Sequence, residues 1–382
     1  MTKNAKLVIV AVALAVAVIV LGFIMVDGAK KSMEQKTITA ATEPTKAAQP
    51  EPEPSQLEAT LFFASDFQEG DQGSPKDNLS GIVNAVKADK ETIDGVIFCG
   101  DYSTDLSLGS YKITPEYAIS DIRDVMKGAY PDLSDEDMIF TQGNHDAMTI
   151  SINKPGIHEF DDYLVYVNNA EIDYPWQQGK ASGSLYKVTH TAEVMKIAFD
   201  KLIAEGEKRP VIVAQHVPLH FTARDGSSNG TGDNLYSSLI FDVVNEAAKD
   251  LNIIYVTGHN HSSGWDNYIG GSCYFKKAGD EILIPEYDKT KITTDTFKSE
   301  TLNFTYLNAG YVGYCKSGAA DDTLTGTVCE IFDNKIAFTR YSADGVHQIC
   351  SAGAACDDPD DSGLISSEHY SKQLESPQEV KR

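Results

Sequence analysis

Five short apolar runs punctuate the chain, at residues 59–64, 96–99, 138–141, 211–214 and 253–257, and each leads into a polar turn. Runs rich in Val, Ile and Phe without polar alternation predict strands buried on both faces. Between them the period changes to that of a helix. Residues 79–88 carry Leu79, Ile82, Val83 and Val86 after an Asp-Asn start at 77–78; Pro115 opens 116–129, and Pro131 follows its end. Residues 192–205 place Val194, Met195, Ile197, Ala198 and Leu202 on one side, and 235–251 carry Leu239, Ile240, Val243, Val244 and Ala247. Strands return at 273–276, 281–285, 304–307, 327–332 and 335–341, the last pair joined by Asp333-Asn334 as a tight hairpin. Strands alternating with helices predict an α/β fold with a largely parallel sheet, whose strand C-termini gather along one edge. Ligands bind at that edge in open α/β sheets.

The turns after the five runs share a chemistry. They read Ser65-Asp66-Phe67-Gln68, Gly100-Asp101, Gly143-Asn144-His145-Asp146, Gln215-His216 and Gly258-His259-Asn260-His261. Carboxylates and imidazoles, with no Cys among the five, suit Mn, Fe or Zn rather than a thiolate structural zinc. Two cations about 3.5–4 Å apart, bridged by a carboxylate, can hold a hydroxide that is nucleophilic near neutral pH, and both neutralise charge on a phosphoryl group. The reaction class this favours is phosphoester hydrolysis. Gly-Asp after a strand is also ordinary turn chemistry, so the weight lies on all five segments in order.

This set resembles the calcineurin-like metallophosphoesterases, whose pattern reads D-x-H, G-D, G-N-H-[DE], H, G-H-x-H, and the likeness spans about residues 59–342. The resemblance implies a four-layer αββα sandwich with two mixed sheets, the late strands supplying the second. It implies two divalent metal ions, one held by Asp66, Gln68, Asp101 and His261, the other by Asp101 as bridge with Asn144, His216 and His259. It implies that His145 faces the phosphate and protonates the leaving oxygen, with Asp146 fixing its tautomer. Asn308-Ala309-Gly310, after the run 304–307, fits the family's strand beyond the last motif. Gln68 departs from the pattern, standing where a His is usual. A neutral amide oxygen is a weaker ligand for a borderline cation, so the first metal is expected to be loosely held, to be a harder ion such as Mn or Mg, or to take a ligand from water. Thr104 stands where the purple-acid-phosphatase subtype has a Tyr, which disfavours that subtype.

The N-terminus adds a second prediction. Lys3 and Lys6 precede an unbroken apolar run at 7–26, bounded by Asp27. Its length suits one bilayer-spanning helix and exceeds the apolar core of a signal peptide. We therefore read 1–31 as an uncleaved signal anchor, making a single-pass membrane protein with its catalytic domain outside the cytoplasm. Residues 32–58, with Glu43-Pro44 and Pro50-Glu51-Pro52-Glu53-Pro54, read as an extended stalk. Residues 59–350 form the metallophosphoesterase domain, and 351–382 a polar acidic tail with little order.

Charge narrows the partners. With 56 acidic and 32 basic residues the formal net charge is −24, so no basic stripe neutralises a nucleic-acid backbone. A small phosphoester substrate drawn in by metals is compatible with such a surface. Cys99 reads as a buried thiol, Cys350 and Cys356 flank a loop that a disulfide can close in an exported domain, and Cys273, Cys315 and Cys329 are unassigned. His158, His190 and His347 stand apart from the motifs, whereas His220 lies near His216. The segments 67–78, 146–183 and 221–234 are expected to surround the metal edge as loops, with Tyr163, Tyr166, Tyr174 and Trp176 either stacking a substrate or packing, and Arg224 a candidate phosphate clamp. Two alternatives to the hydrolase remain: a degenerate non-catalytic binding member, motivated by Gln68, and a phosphodiesterase for lipid head groups, motivated by the tether.

Overall fold

The computed structural model describes residues 55–68, 74–103, 114–143, 145–146, 149–169, 181–219, 237–259, 275–285, 297–313, 324–343, 345–347 and 378–381. The chain divides into two compact units, Met1–Glu53 and Pro54–Arg382, and every described residue belongs to the second. The expected membrane span and nearly all of the expected stalk lie outside the described residues. Among the described residues no helix is long and apolar enough to cross a membrane.

In chain order the elements are β1 (Leu57–Ala64), α1 (Pro75–Asp89), β2 (Gly95–Phe98), α2 (Pro115–Ala129), β3 (Met138–Phe140), β4 (Gly156–Glu159) and β5 (Leu164–Val167). There follow α3 (Ala181–Glu205), β6 (Val211–Ala214), α4 (Ser237–Ala247), β7 (Ile253–Thr257), β8 (Phe275–Lys276), β9 (Glu281–Pro285) and β10 (Phe297–Thr301). The last are β11 (Thr305–Asn308), β12 (Thr325–Phe332), β13 (Lys335–Ser342), β14 (Gly345–His347) and β15 (Gln378–Lys381). The stalk expected to run to residue 58 therefore gives way to β1 at Leu57.

The apolar runs are unbroken because both faces of each strand are covered. In β1, Phe62 and Ala64 point to a cluster shared with Leu79, Ile82 and Val86 of α1 and Ile119, Ile122 and Met126 of α2. The alternate residues Leu61 and Phe63 point the other way, to a cluster shared with Ile212 and Ala214 of β6 and Ile254 and Val256 of β7. Val211, Val213, Ile253 and Tyr255 face a third cluster, with Met195, Phe199 and Leu202 of α3 and Ile240 and Val244 of α4. The period of two in each strand thus builds a stack of helices, sheet, sheet and helices.

The first sheet runs β14-β13-β12-β1-β2-β3, with β15 also paired to β13; the second runs β4-β5-β6-β7-β11-β8. Both are mixed: β1 pairs parallel with β2 and antiparallel with β12, while β5, β6, β7 and β11 are parallel and β4 and β8 flank them antiparallel. This corrects three expectations. The five motif strands do not form one sheet, since β1, β2 and β3 lie in the first and β6 and β7 in the second. The late strands do not assemble the second sheet by themselves: β12 and β13 join the first sheet beside β1, β8 and β11 join the second, and among the described residues β9 pairs only with β10. The stretch 146–183 is not all loop, because it contributes β4 and β5. Apolar runs carry no mark of which sheet they enter, and β1–β12 pairing joins residues far apart in sequence.

Smaller differences have equally local causes. Helix α3 buries Ala192, Met195, Phe199 and Leu202, a spacing of three and four, which leaves Val194 and Ile197 exposed rather than on the core face. Tyr163 and Tyr166 are buried, Tyr163 stacked on Phe160 and Tyr166 edge-on to Phe199, so both pack the core. Part of the tail is ordered as β15, where Val380 stands opposite Ile336 in antiparallel register. Pairing along a sheet edge needs backbone groups rather than an apolar pattern. Cys99 and Cys329 are buried free thiols; the other four cysteines lie outside the described residues, as do His220, Arg224, Tyr174 and Trp176.

Candidate metal centre

The C-terminal ends of β1 and β2 in one sheet and of β6 and β7 in the other open toward the same place. Among the described residues, four non-glycines take a left-handed backbone: Asp66 (φ 55°), Gln68 (47°), Asp101 (58°) and His259 (68°). All four lie in the motif turns. Such conformations persist only where neighbouring bonds enforce them. Here Asp66 N–H donates to the Gly100 carbonyl at 2.9 Å and Gln68 N–H to the Asp101 carbonyl at 2.9 Å. His259 N–H donates to Asp66 Oδ2 at 2.9 Å, against which the Ser65 hydroxyl also lies.

These turns bring together Asp101, His216 and His259, whose ligand atoms all lie within 4.8 Å of one another. Around one tetrahedral cation with bonds of about 2.0–2.2 Å, ligand atoms lie about 3.3–3.5 Å apart, so the three groups would draw together on binding an ion. The donor set, one carboxylate and two imidazoles without thiolate, fits a first-row divalent cation. His216 Nε2 is 3.1 Å from Asp101 Oδ2 and 4.0 Å from Asp66 Oδ1. The rings of His216 and His259 meet edge-on, centroids 5.2 Å apart. Burial opposes the charge of Asp101, yet the rings of His216 and His145 hold its carboxyl below the usual carboxylate range. Burial likewise opposes a charged His216, but Asp101 and Asp66 outweigh it and push the ring up to about 10. Cation and proton compete for that nitrogen.

Asp66, Asp101 and His216 are fully buried at the centre, and Gln68 is buried beside them. Asn144 and His261 lie outside the described residues. His145 is at the mouth: its side chain is 36% exposed where that of Asp101 is 1%, and its Nε2 stands 3.9 Å from Asp101 Oδ2. Its backbone N–H donates to Asp101 Oδ1 at 2.9 Å. Asp146 accepts backbone N–H groups with both carboxylate oxygens. Its Oδ2 accepts the N–H of Asp101 and of Gly143, both at 2.8 Å, and its Oδ1 accepts the N–H of Tyr102 at 2.8 Å. The carboxylate therefore staples the Asp101 turn to the Gly143 turn. Burial and the nearby Asp101 push its carboxyl up to about 7 against the pull of those N–H groups.

Glycine is required where the turns touch. Gly100 has φ 77°, and a Cβ there would stand 2.6 Å from Gly143 N. Residues that motif reading passed over hold the site from beneath. The carbonyl of Cys99 receives His216 Nδ1 at 2.5 Å. The Asn308 side chain donates to the Gly258 carbonyl at 3.1 Å; an Asn opening Asn-Ala-Gly signals a turn but not the partner of its amide. His158 and His190 stand outside the centre, His158 bonded to the Lys154 carbonyl and His190 exposed.

The chain belongs to the calcineurin-like phosphoesterase family, which it matches over residues 60–263. It is a hydrolase of phosphoester bonds, and a metal-dependent one. Among solved structures it is similar to a dimetal phosphatase from Danio rerio, at 10% identity over 78% of this chain and 100% of that one, with a TM-score of 0.45. It is also similar to a phosphoesterase from E. coli, at 11% identity over 73% of this chain and 91% of that one, with a TM-score of 0.29. No curated protein matches the sequence.

Proposed function

We propose that this phosphoesterase holds its cations through Asp66, Gln68, Asp101, Asn144, His216, His259 and His261, with Asp101 shared between two sites and His145 acting as the general acid. The gathering of Asp101, His216 and His259 from two sheets carries the reading. Divalent cations bound there supply charge neutralisation at the phosphoryl group and make water nucleophilic near neutral pH. The chain's own groups do the rest. Asp101, fixed by Asp146 through the backbone, sets the position of the shared carboxylate. His145 delivers a proton to the departing oxygen in this reading, which its backbone N–H bond to Asp101 and its partly solvent-open side chain support.

The buried amide of Gln68 at a position usually imidazole favours unequal sites, one firm and one weak. The N-terminal run at 7–26 and the Pro-rich stretch after it support a tethered enzyme, a single anchor and stalk carrying the catalytic domain outside the cytoplasm. A lipid head-group diester would suit that tether.

Hydrolysis of aryl phosphate mono- and diesters by the full-length protein with added Mn²⁺ tests the proposal. His145→Ala is expected to lower kcat by about 10²–10⁴ while cation binding persists. Unchanged kcat in that variant removes His145 from the mechanism.

A further inference from the structure

We infer that Asn308 is a positioning residue for the cation site, acting on His259 through the Gly258–His259 peptide and buttressed by Arg340; the inference rests on the reading of His259 as a ligand. That peptide is held from both sides. Its carbonyl accepts the Asn308 amide at 3.1 Å, and its N–H donates to Asp66 Oδ2 at 2.9 Å. Fixing both ends of one peptide plane fixes the backbone on either side of it. This is the point where His259 takes its φ of 68°, a conformation that a residue with a Cβ does not adopt unforced. The turn has no room to relax sideways, since a Cβ on Gly258 would strike the Ser65 hydroxyl and stand 2.8 Å from the Cys99 carbonyl.

Only an amide does this work. While Asn308 Nδ2 donates to Gly258, its Oδ1 accepts the N–H of Gly310 at 2.9 Å. Aspartate lacks the donor, and alanine lacks both groups. Asn308 is 1% exposed, so bulk solvent does not reach the groups it satisfies. Its own carbonyl is gripped from the opposite sheet: Arg340 Nη2 donates to it at 2.9 Å, and Arg340 Nη1 donates to Thr327 Oγ1 at 2.8 Å. Thr327 in turn donates to the Ala309 carbonyl at 2.9 Å. Arg340, on β13, is fully buried. The same strap reaches the other motif turn, where Gly313 N–H donates to the Asp66 carbonyl at 2.7 Å and Val312 N–H to the Ser65 carbonyl at 3.1 Å. The segment from Asn308 to Gly313 therefore grips the Asp66 and His259 turns together, and Arg340 ties it to the first sheet.

Outer partners that orient metal ligands typically change affinity 10- to 100-fold when removed. The test uses full-length protein titrated with Mn²⁺ by calorimetry and with Co²⁺ by visible absorption, with melting of the metal-free protein followed in parallel. Asn308→Asp and Asn308→Ala are expected to bind Mn²⁺ about 10- to 100-fold more weakly and to show an altered Co²⁺ band at saturation. Arg340→Met is expected to follow them, and Arg340→Lys, which keeps a donor for the Asn308 carbonyl, to recover part of the affinity. Ile336→Val, in the inter-sheet core, serves as a control that lowers the melting temperature without moving either metal readout. Should Asn308→Ala fail to fold, Asn308→Ser carries the same expectation. Asn308 variants that melt lower but keep wild-type Mn²⁺ affinity and the wild-type Co²⁺ band overturn the inference. Wild-type protein that binds neither ion overturns the underlying cation reading instead.

Discussion

His216 Nδ1 lies 2.5 Å from the carbonyl oxygen of Cys99, across the seam between the two sheets. A carbonyl only accepts, so Nδ1 carries the hydrogen, and Nε2 is left to face Asp101 Oδ2 at 3.1 Å. One bond thus joins the sheets and leaves Nε2 as the ring nitrogen available to a cation.

That seam is tight enough to make Gly100 irreplaceable. In Gly100→Ala the new methyl would stand 2.6 Å from Gly143 N and 2.9 Å from His216 Nδ1, on a backbone with φ 77°. The steric and left-handed costs together are expected to exceed about 2 kcal/mol. Urea unfolding measures it; a midpoint within error of wild type contradicts the packing described.

Cation binding is expected to stabilise the fold, because the ligands come from different sheets. At a Mn²⁺ concentration 100 times its Kd the gain is about 2.7 kcal/mol, reversed by chelator. Asp101→Asn is expected to abolish most of that gain, read as a melting temperature that no longer responds to Mn²⁺. A full response in Asp101→Asn shows that the carboxylate charge at this position is not needed to hold the cation.

A pH effect is expected far from the centre, at Glu207 and Arg209. Arg209 Nη2 and Nε reach the two carboxylate oxygens at 2.6 and 3.0 Å. The Arg209 guanidinium, opposed by burial and helped by the N–H groups of Arg209 and Lys208, holds the Glu207 carboxyl at about 2, below its ordinary 4.5. A depressed carboxyl stabilises the fold above its unfolded value and loses that contribution as pH falls from 4.5 toward 2. Glu207→Gln is expected to cost about 1 kcal/mol at pH 7, given solvent screening, with the difference shrinking below pH 4.5. A difference that grows on acidification contradicts the sign.

The inter-sheet core is the other support of the site. Phe338 is fully buried there, edge-on to Phe275 at 5.7 Å. Phe338→Ala is expected to cost about 3–5 kcal/mol by calorimetric or denaturant unfolding. A loss under 1 kcal/mol would mean that the two sheets are not sealed as described.

The parts of this arrangement that residue types advertise were readable in the chain. Burial on both faces leaves unbroken apolar runs, so β1, β2, β6 and β7 stand out, as do the Asp and His residues that follow them. Which sheet a strand enters leaves no such mark, and Thr325–Phe332 pairs with Leu57–Ala64 through backbone groups every residue owns. The same reason hid the partners of Asp146, which are backbone N–H groups, and the target of Asn308, a backbone carbonyl. Arg340 was concealed differently: a charged residue within a strand reads as solvent-facing, whereas this one is enclosed between sheets and bonded to Asn308 and Thr327.

The most direct test of the account is a paired measurement of cation content and turnover on one preparation of the full-length enzyme. Exhaustive chelation is expected to remove the cation and abolish hydrolysis of an aryl phosphate, and Mn²⁺ to restore both in the wild type but neither in His259→Ala with Asp101→Asn. Turnover that survives complete removal of the cation, or full restoration in that double variant, would contradict it.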